Sequence, residues 1–153
     1  KNMKKTASLV VIMFTLSIAT FAQNEKGDKG KNKGKMMVPA EVKTAISKKY
    51  PEASKVTWEK EKGNYEANWG GKSGEENSVQ FTPTGIFIEM VKAIPVTQLP
   101  SPVLSYVKEH YKGAKITEAG RITNDTGKIT YEAEVNGKDI IFDEKGNFLK
   151  VEV

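Results

Sequence analysis

The sequence predicts an α+β fold, a tandem repeat of one helix plus a four-stranded antiparallel meander. Its two helices lie on one face of a roughly eight-stranded antiparallel sheet. Three observations predict it. A helical pattern is written twice, 61 residues apart: Val38-Pro39, Val42, Ile46, Tyr50 and Ala53 return as Leu99-Pro100, Val103, Val107, Tyr111 and Ala114. Each copy is followed by short segments alternating apolar and polar residues, the period of strands with one wet face. Only turn residues separate those segments, and loops of hairpin length force antiparallel neighbours.

In chain order, Lys4-Lys5 precedes the apolar run Leu9-Val10-Val11-Ile12-Met13-Phe14, and the small residues Thr20 and Ala22 stand three before and one before a cut ahead of Gln23. This pattern predicts a secretory signal peptide over 1–22. The apolar run falls short of the ~20 residues a membrane-spanning helix needs, so no stable membrane insertion is expected once the signal is removed. Residues 23–37 alternate Lys and Gly with almost nothing apolar, which predicts a disordered linker. The folded part is then 38–153, with repeat one at 38–98 and repeat two at 99–153. A unit of about 60 residues is marginal alone, so the two are expected to share one core.

Val38-Pro39 opens the first helix, because proline suits the first helical position, where its missing N–H costs nothing. Val42, Ala45, Ile46 and Tyr50 form one narrow apolar stripe, and Pro51 ends the helix. The second helix starts at Pro100 and Pro102, carries Val103, Val107 and Tyr111, and leaves through Gly113. One buried face on each helix requires something flat beneath it. The first repeat supplies strands at 56–61, 65–69, 78–82 and 86–92. The second supplies 116–122, 129–135, 140–143 and 148–153. Asn136-Gly137 and the glycines at 63, 85, 127 and 146 stand where turns need positive φ. Alternation assigns Thr57, Glu59, Glu66, Asn68, Gln80 and Glu89 to the uncovered face, with Thr130, Glu132, Glu134 and Lys150 from the second repeat. A long twisted sheet with one bare side makes a broad, slightly concave platform.

The chemistry of the chain is that of binding, not catalysis. It has no Cys and a single His, His110, on a helix beside Tyr111 with no acidic partner signalled, so Ser/His or Cys/His catalysis has no basis. Zinc ligands are wanting, and no cofactor is expected. The pairs Glu59/Glu61 and Glu132/Glu134 read as wet strand faces, not as glycosidase acids. Asp143-Glu144-Lys145-Gly146-Asn147 lacks the spaced acidic ligands of a calcium loop and reads as a hairpin turn. The formal charge of +5 resides in the leader and linker: from Val38 on, 16 Lys and Arg face 17 Asp and Glu, which argues against nucleic acid as a partner.

Among the aromatics, Trp58 is in phase with the core, but repeat two offers Glu118 at the matching place, which puts that position at the sheet margin. Phe87 and Phe148 fall on the open face by strict alternation; a bulge after Gly85 and Gly146 would return both to the core. The partner-binding set expected from these arguments is Trp58, Glu59, Asn68, Phe87, Glu89, Glu132, Phe148 and Lys150, aromatics as anchors and charges for register.

The duplicated Pro-x-x-Val-x-x-x-[Ile/Val]-x-x-x-Tyr-x-x-Ala pattern, with Tyr65-Glu66-Ala67 returning as Tyr131-Glu132-Ala133 and Phe81/Gly85 as Phe142/Gly146, resembles the PepSY-like, β-lactamase-inhibitor-like family of small exported bacterial proteins. The resemblance covers 38–153. It implies two helix-plus-four-strand units like those of β-lactamase inhibitory protein, which clamps its enzyme with a concave sheet face. This chain departs from that protein in having no cysteine. The resulting expectation is a periplasmic or secreted, non-enzymatic protein that binds a protein or peptide in the cell envelope, as an inhibitor of an enzyme such as a peptidase. The alternative is an envelope module that senses a small ligand or ion.

Overall fold

The computed structural model describes residues 36–152, so the leader and nearly all of the Lys/Gly-rich linker lie outside the described residues. Helix α1 (Ala40–Lys49) precedes strands β1 (Thr57–Glu61), β2 (Asn64–Trp69), β3 (Asn77–Phe81) and β4 (Phe87–Ala93). Helix α2 (Ser101–His110) precedes β5 (Ile116–Asn124), β6 (Ile129–Val135), β7 (Lys138–Asp143) and β8 (Phe148–Glu152). The eight strands form one antiparallel sheet in the order β1-β2-β3-β4-β5-β6-β7-β8. A single 3-10 turn, Val96–Gln98, leads from β4 into α2.

Each helix begins one residue later than the proline expectation: Pro39 and Pro100 are the extended N-cap residues, and only Pro102 lies inside a first turn, that of α2. The N–H of Lys43 bonds the carbonyl of Pro39 at 3.1 Å, and α1 ends as Tyr50 N–H reaches Ile46 O at 2.7 Å before Pro51. α1 buries Val42 and Ile46, and α2 buries Val103 and Val107. In the hairpin turns, the Asp143 carboxylate accepts bonds from the backbone N–H of Lys145 and Asn147 at 2.9 and 2.8 Å. Asn124 Oδ1 does the same for Thr126 and Lys128 at 3.1 and 2.8 Å. These are Asx turns, and they build the hairpin turns expected at both loops.

The expectation of one shared core is corrected. α1 packs with Tyr65, Ala67, Trp69, Val79 and Phe81 in one cluster. α2 packs with Ala119, Ala133, Val135, Ile140 and Phe142 in another. What joins the halves is the β4–β5 ladder, from Glu89↔Asn124 to Ala93↔Gly120. Each short helix covers the strands of its own repeat, so continuity across the middle of the sheet passes to backbone hydrogen bonds.

Three register irregularities shape the sheet. Phe81 pairs with Phe87 while Gln80 pairs with Glu89, leaving Ile88 as an extra residue. Phe142 pairs with Phe148 while Ile141 pairs with Lys150, leaving Leu149 extra at the same place in repeat two. The third lies between Ile116 and Ala119. Gly85 and Gly146, both at positive φ, form the turns just before the first two. A Cβ on Gly85 would lie 2.7 Å from the carbonyl oxygen of Glu41, so this turn is fitted against α1.

A candidate binding trough on the open sheet face

The face away from the helices can be read row by row across the ladders. One row runs Glu59↔Glu66↔Gln80↔Glu89↔Asn124. The next runs Thr57↔Asn68↔Ser78↔Val91↔Ile122↔Thr130. Beyond it come Ala93↔Gly120↔Glu132↔Ile141↔Lys150, and then Glu134↔Asp139↔Glu152. All ten residues that alternation assigns to this face are on it.

Twist curves the face into a trough of about 1130 Å³, lined from Glu59 on β1 to Glu152 on β8. Its floor is apolar at Val91, Ile122 and Ile141, and Ile122 is buried although it faces the trough. Eleven carboxylates line it against four lysines. Three carboxylates are held by neutral donors: Ser78 Oγ donates to Glu66 Oε1 at 2.7 Å, Gln80 Nε2 to Glu61 Oε2 at 3.0 Å, and Thr117 Oγ1 to Glu134 Oε1 at 2.9 Å. Lys150 pairs with Glu152.

Crowding like charges in a partly dry trough moves their titrations upward. Burial, then the Glu66 charge, raises Glu61. Burial, then Glu152 and Glu61, raises Glu89, against an opposing pull from Lys150. Burial, then Glu134, raises both Glu118 and Asp139. The largest effect is at Glu132, pushed up to about 8 by burial and then by Asp139, Glu152, Glu89 and Glu118.

The duplication explains why Glu132 stands apart. Its counterpart in repeat one is Glu66, flanked by Glu59 and Gln80. In repeat two those flanks are Gly120 and Ile141. The carboxylate lies over Gly120, where an added Cβ would fall 2.6 Å from Glu132 Oε1. Among the described residues no donor reaches Glu132. Asn68, 4% exposed on the same face, likewise has an Oδ1 without a hydrogen-bond partner.

Of the expected partner-binding residues, Glu59, Asn68, Glu89, Glu132 and Lys150 come together in the trough. Phe87 and Phe148 do not. The extra residues at 88 and 149 slip the phase and turn both rings to the helix side. Phe87 packs edge-on to Phe81 at 6.1 Å, with Lys49 Nζ 4.3 Å above it. Phe148 stacks on Tyr106 of α2 at 4.9 Å. Trp58 is also on the helix side, opposite Ala67 and half-buried at the edge of the first core. Its structural counterpart is Ala119, opposite Ala133, because the third irregularity sends Glu118 into the trough instead. His110 is exposed, its ring stacked on Tyr106 at 4.0 Å.

Sequence reasoning missed Glu118, Asp139 and Glu152 and the apolar floor. Parity places Asp139 with Ile141 and Glu152 with Lys150, so those two were accessible; Glu118 was hidden by the bulge. Among the described residues no group of three or more Asp, Glu or His side chains is arranged to hold a metal ion. No described helix is long and apolar enough to cross a membrane.

Comparison with known proteins adds the following. The sequence profile of a family described as "Putative beta-lactamase-inhibitor-like, PepSY-like" matches residues 25–88 and 70–150. The chain is similar in structure to a Bacteroides eggerthii protein described as periplasmic, with TM-score 0.66 and 19% identity over 76% of this chain and 89% of that one. A DUF2874 family protein from Bacteroides uniformis gives 0.65 and 19% over 76% and 89%. A BLIP-like protein from Bacteroides fragilis gives 0.59 and 23% over 78% and 88%. No curated protein matches the sequence.

Proposed function

The chain belongs to the PepSY-like, beta-lactamase-inhibitor-like family, and on that footing we propose that it is an exported, non-enzymatic binding protein of the periplasm whose open sheet face holds a protein or peptide. The observation that carries this reading is the single trough spanning all eight strands, with an apolar floor and charged walls. A centre that excludes water surrounded by polar groups is the anatomy of a recognition surface. The periplasmic description of a structural neighbour supports the location. The BLIP-like description of another supports inhibition of an envelope or secreted enzyme, such as a peptidase, as the purpose of binding.

Site-specific photocrosslinking tests this. A crosslinker in place of Val91 in the trough is expected to trap a discrete partner in the envelope, and one in place of Leu104, exposed on α2, is not. Trapping only from α2, or none from Val91, overturns the reading.

A further inference from the structure

The charges of this domain are segregated, which its total conceals. From Val38 on, 16 basic residues nearly balance 17 acidic ones. The trough takes eleven of the acids and only four of the bases. The rest of the surface is left with twelve basic residues and six acidic ones, and α1 alone carries the exposed Lys43, Lys48 and Lys49. The trough therefore has a strongly negative potential, focused by the low-dielectric floor between its walls.

An acidic surface alone says only that the face is wet. One further feature says that something is missing from it. Glu132 sits mid-face over Gly120 and Ile141, without the hydroxyl donor that Ser78 gives its counterpart Glu66. Once ionised, it is an unmet acceptor beside apolar neighbours, and such a group favours a ligand rich in N–H donors.

We propose that the partner held in the trough is an extended, Lys/Arg-rich polypeptide segment. This deepens the proposed function and rests on it. Lysine and arginine suit the surface because their aliphatic stems lie on apolar ground while their heads reach carboxylates. Val91, Ile122 and Ile141 supply that ground, with Glu89, Glu132 and Asp139 beside them. Eight strands at ~4.8 Å spacing make the trough roughly 34 Å wide, the span of about ten extended residues. A small polyamine would cover only part of it.

The test is selection of random decapeptides on residues 23–153, repeated on two variants. The selection is run above the pH of about 8 at which Glu132 ionises; Glu59→Lys with Glu118→Lys reverses two accessible wall charges, and Glu89→Gln with Glu132→Gln removes two mid-face charges without adding bulk. A Lys43→Glu/Lys108→Glu variant on the helices is the control. Selection of Lys/Arg-rich peptides, weakened at least tenfold in both trough variants and unchanged in the control, supports the proposal. Trough-dependent selection of neutral or acidic peptides overturns the partner chemistry while leaving the docking face intact. No trough-dependent selection overturns both. Spermine binding as tightly as the selected peptides overturns the polypeptide assignment.

Discussion

Replacing Glu132 by Gln should flatten the fall of stability with pH, and the size of that effect follows from the trough. Burial and four neighbouring carboxylates push Glu132 from the ordinary 4.5 up to about 8. In the unfolded chain the same carboxyl loses its proton near 4.5. Between those values the native protein binds more protons than the unfolded chain, so stability falls as pH rises. Below pH 4.5 both forms are protonated and there is no loss; above about 8 the loss is complete. The gap corresponds to roughly 5 kcal/mol, shared with the coupled carboxyls of Glu89, Glu118 and Asp139, whose own upward shifts act in the same direction. Glu134 on the same strand and Lys150 on β8 also face this part of the trough. Lys150 tempers the shift at Glu89 but does not cancel it. Urea denaturation followed by far-UV circular dichroism, from pH 5 to pH 8.5, measures the slope. The wild-type chain should lose several kcal/mol across this range and Glu132→Gln clearly less, with the two closest at the acid end. Parallel curves for the two proteins would refute the burial argument.

Three further outcomes follow from the packing. Gly120→Ala places a methyl 2.6 Å from Glu132 Oε1 and 2.9 Å from its Cγ, so the carboxyl is expected to swing outward and the pH slope to shrink as in Glu132→Gln; an unchanged slope counts against the contact. Phe142→Ala removes a fully buried ring from under α2 and should cost about 3–5 kcal/mol by urea denaturation. The fluorescence of Trp58 and Trp69, both in the first cluster, then reports whether repeat one remains folded. Phe87→Ala with Phe148→Ala should lower the melting temperature but leave crosslinking from Val91 intact, since both rings contact the helix side.

The architecture was legible because its determinants are local and repeated. Tyr65, Ala67 and Trp69 alternate with Glu66 and Asn68, and this parity holds through every regular ladder. What alternation could not deliver lies at the irregularities. One extra residue at Ile88 and one at Leu149 turn Phe87 and Phe148 from the open face to the helices, and the shift before Ala119 moves Glu118 the opposite way. A bulge is set by how two strands fit across a turn, which one strand's pattern does not state. The separation of the cores was hidden for a similar reason, because it depends on how many strands a ten-residue helix can cover. The acidity of the trough was concealed by summation: the near-neutral total adds a negative face to a positive one. Glu132 itself was placed correctly, but its isolation emerges only when Gly120 and Ile141 are seen beside it in place of the Glu59 and Gln80 that flank Glu66.

The most direct test of the docking face is backbone amide NMR of residues 23–153, titrated with a synthetic decapeptide alternating lysine and valine. Shift changes should concentrate on trough-facing positions such as Ser78, Val91, Ile122, Glu132 and Asp139, and vanish at high salt. Changes confined to the outer faces of α1 and α2, or none at all, would contradict a cation-binding open face.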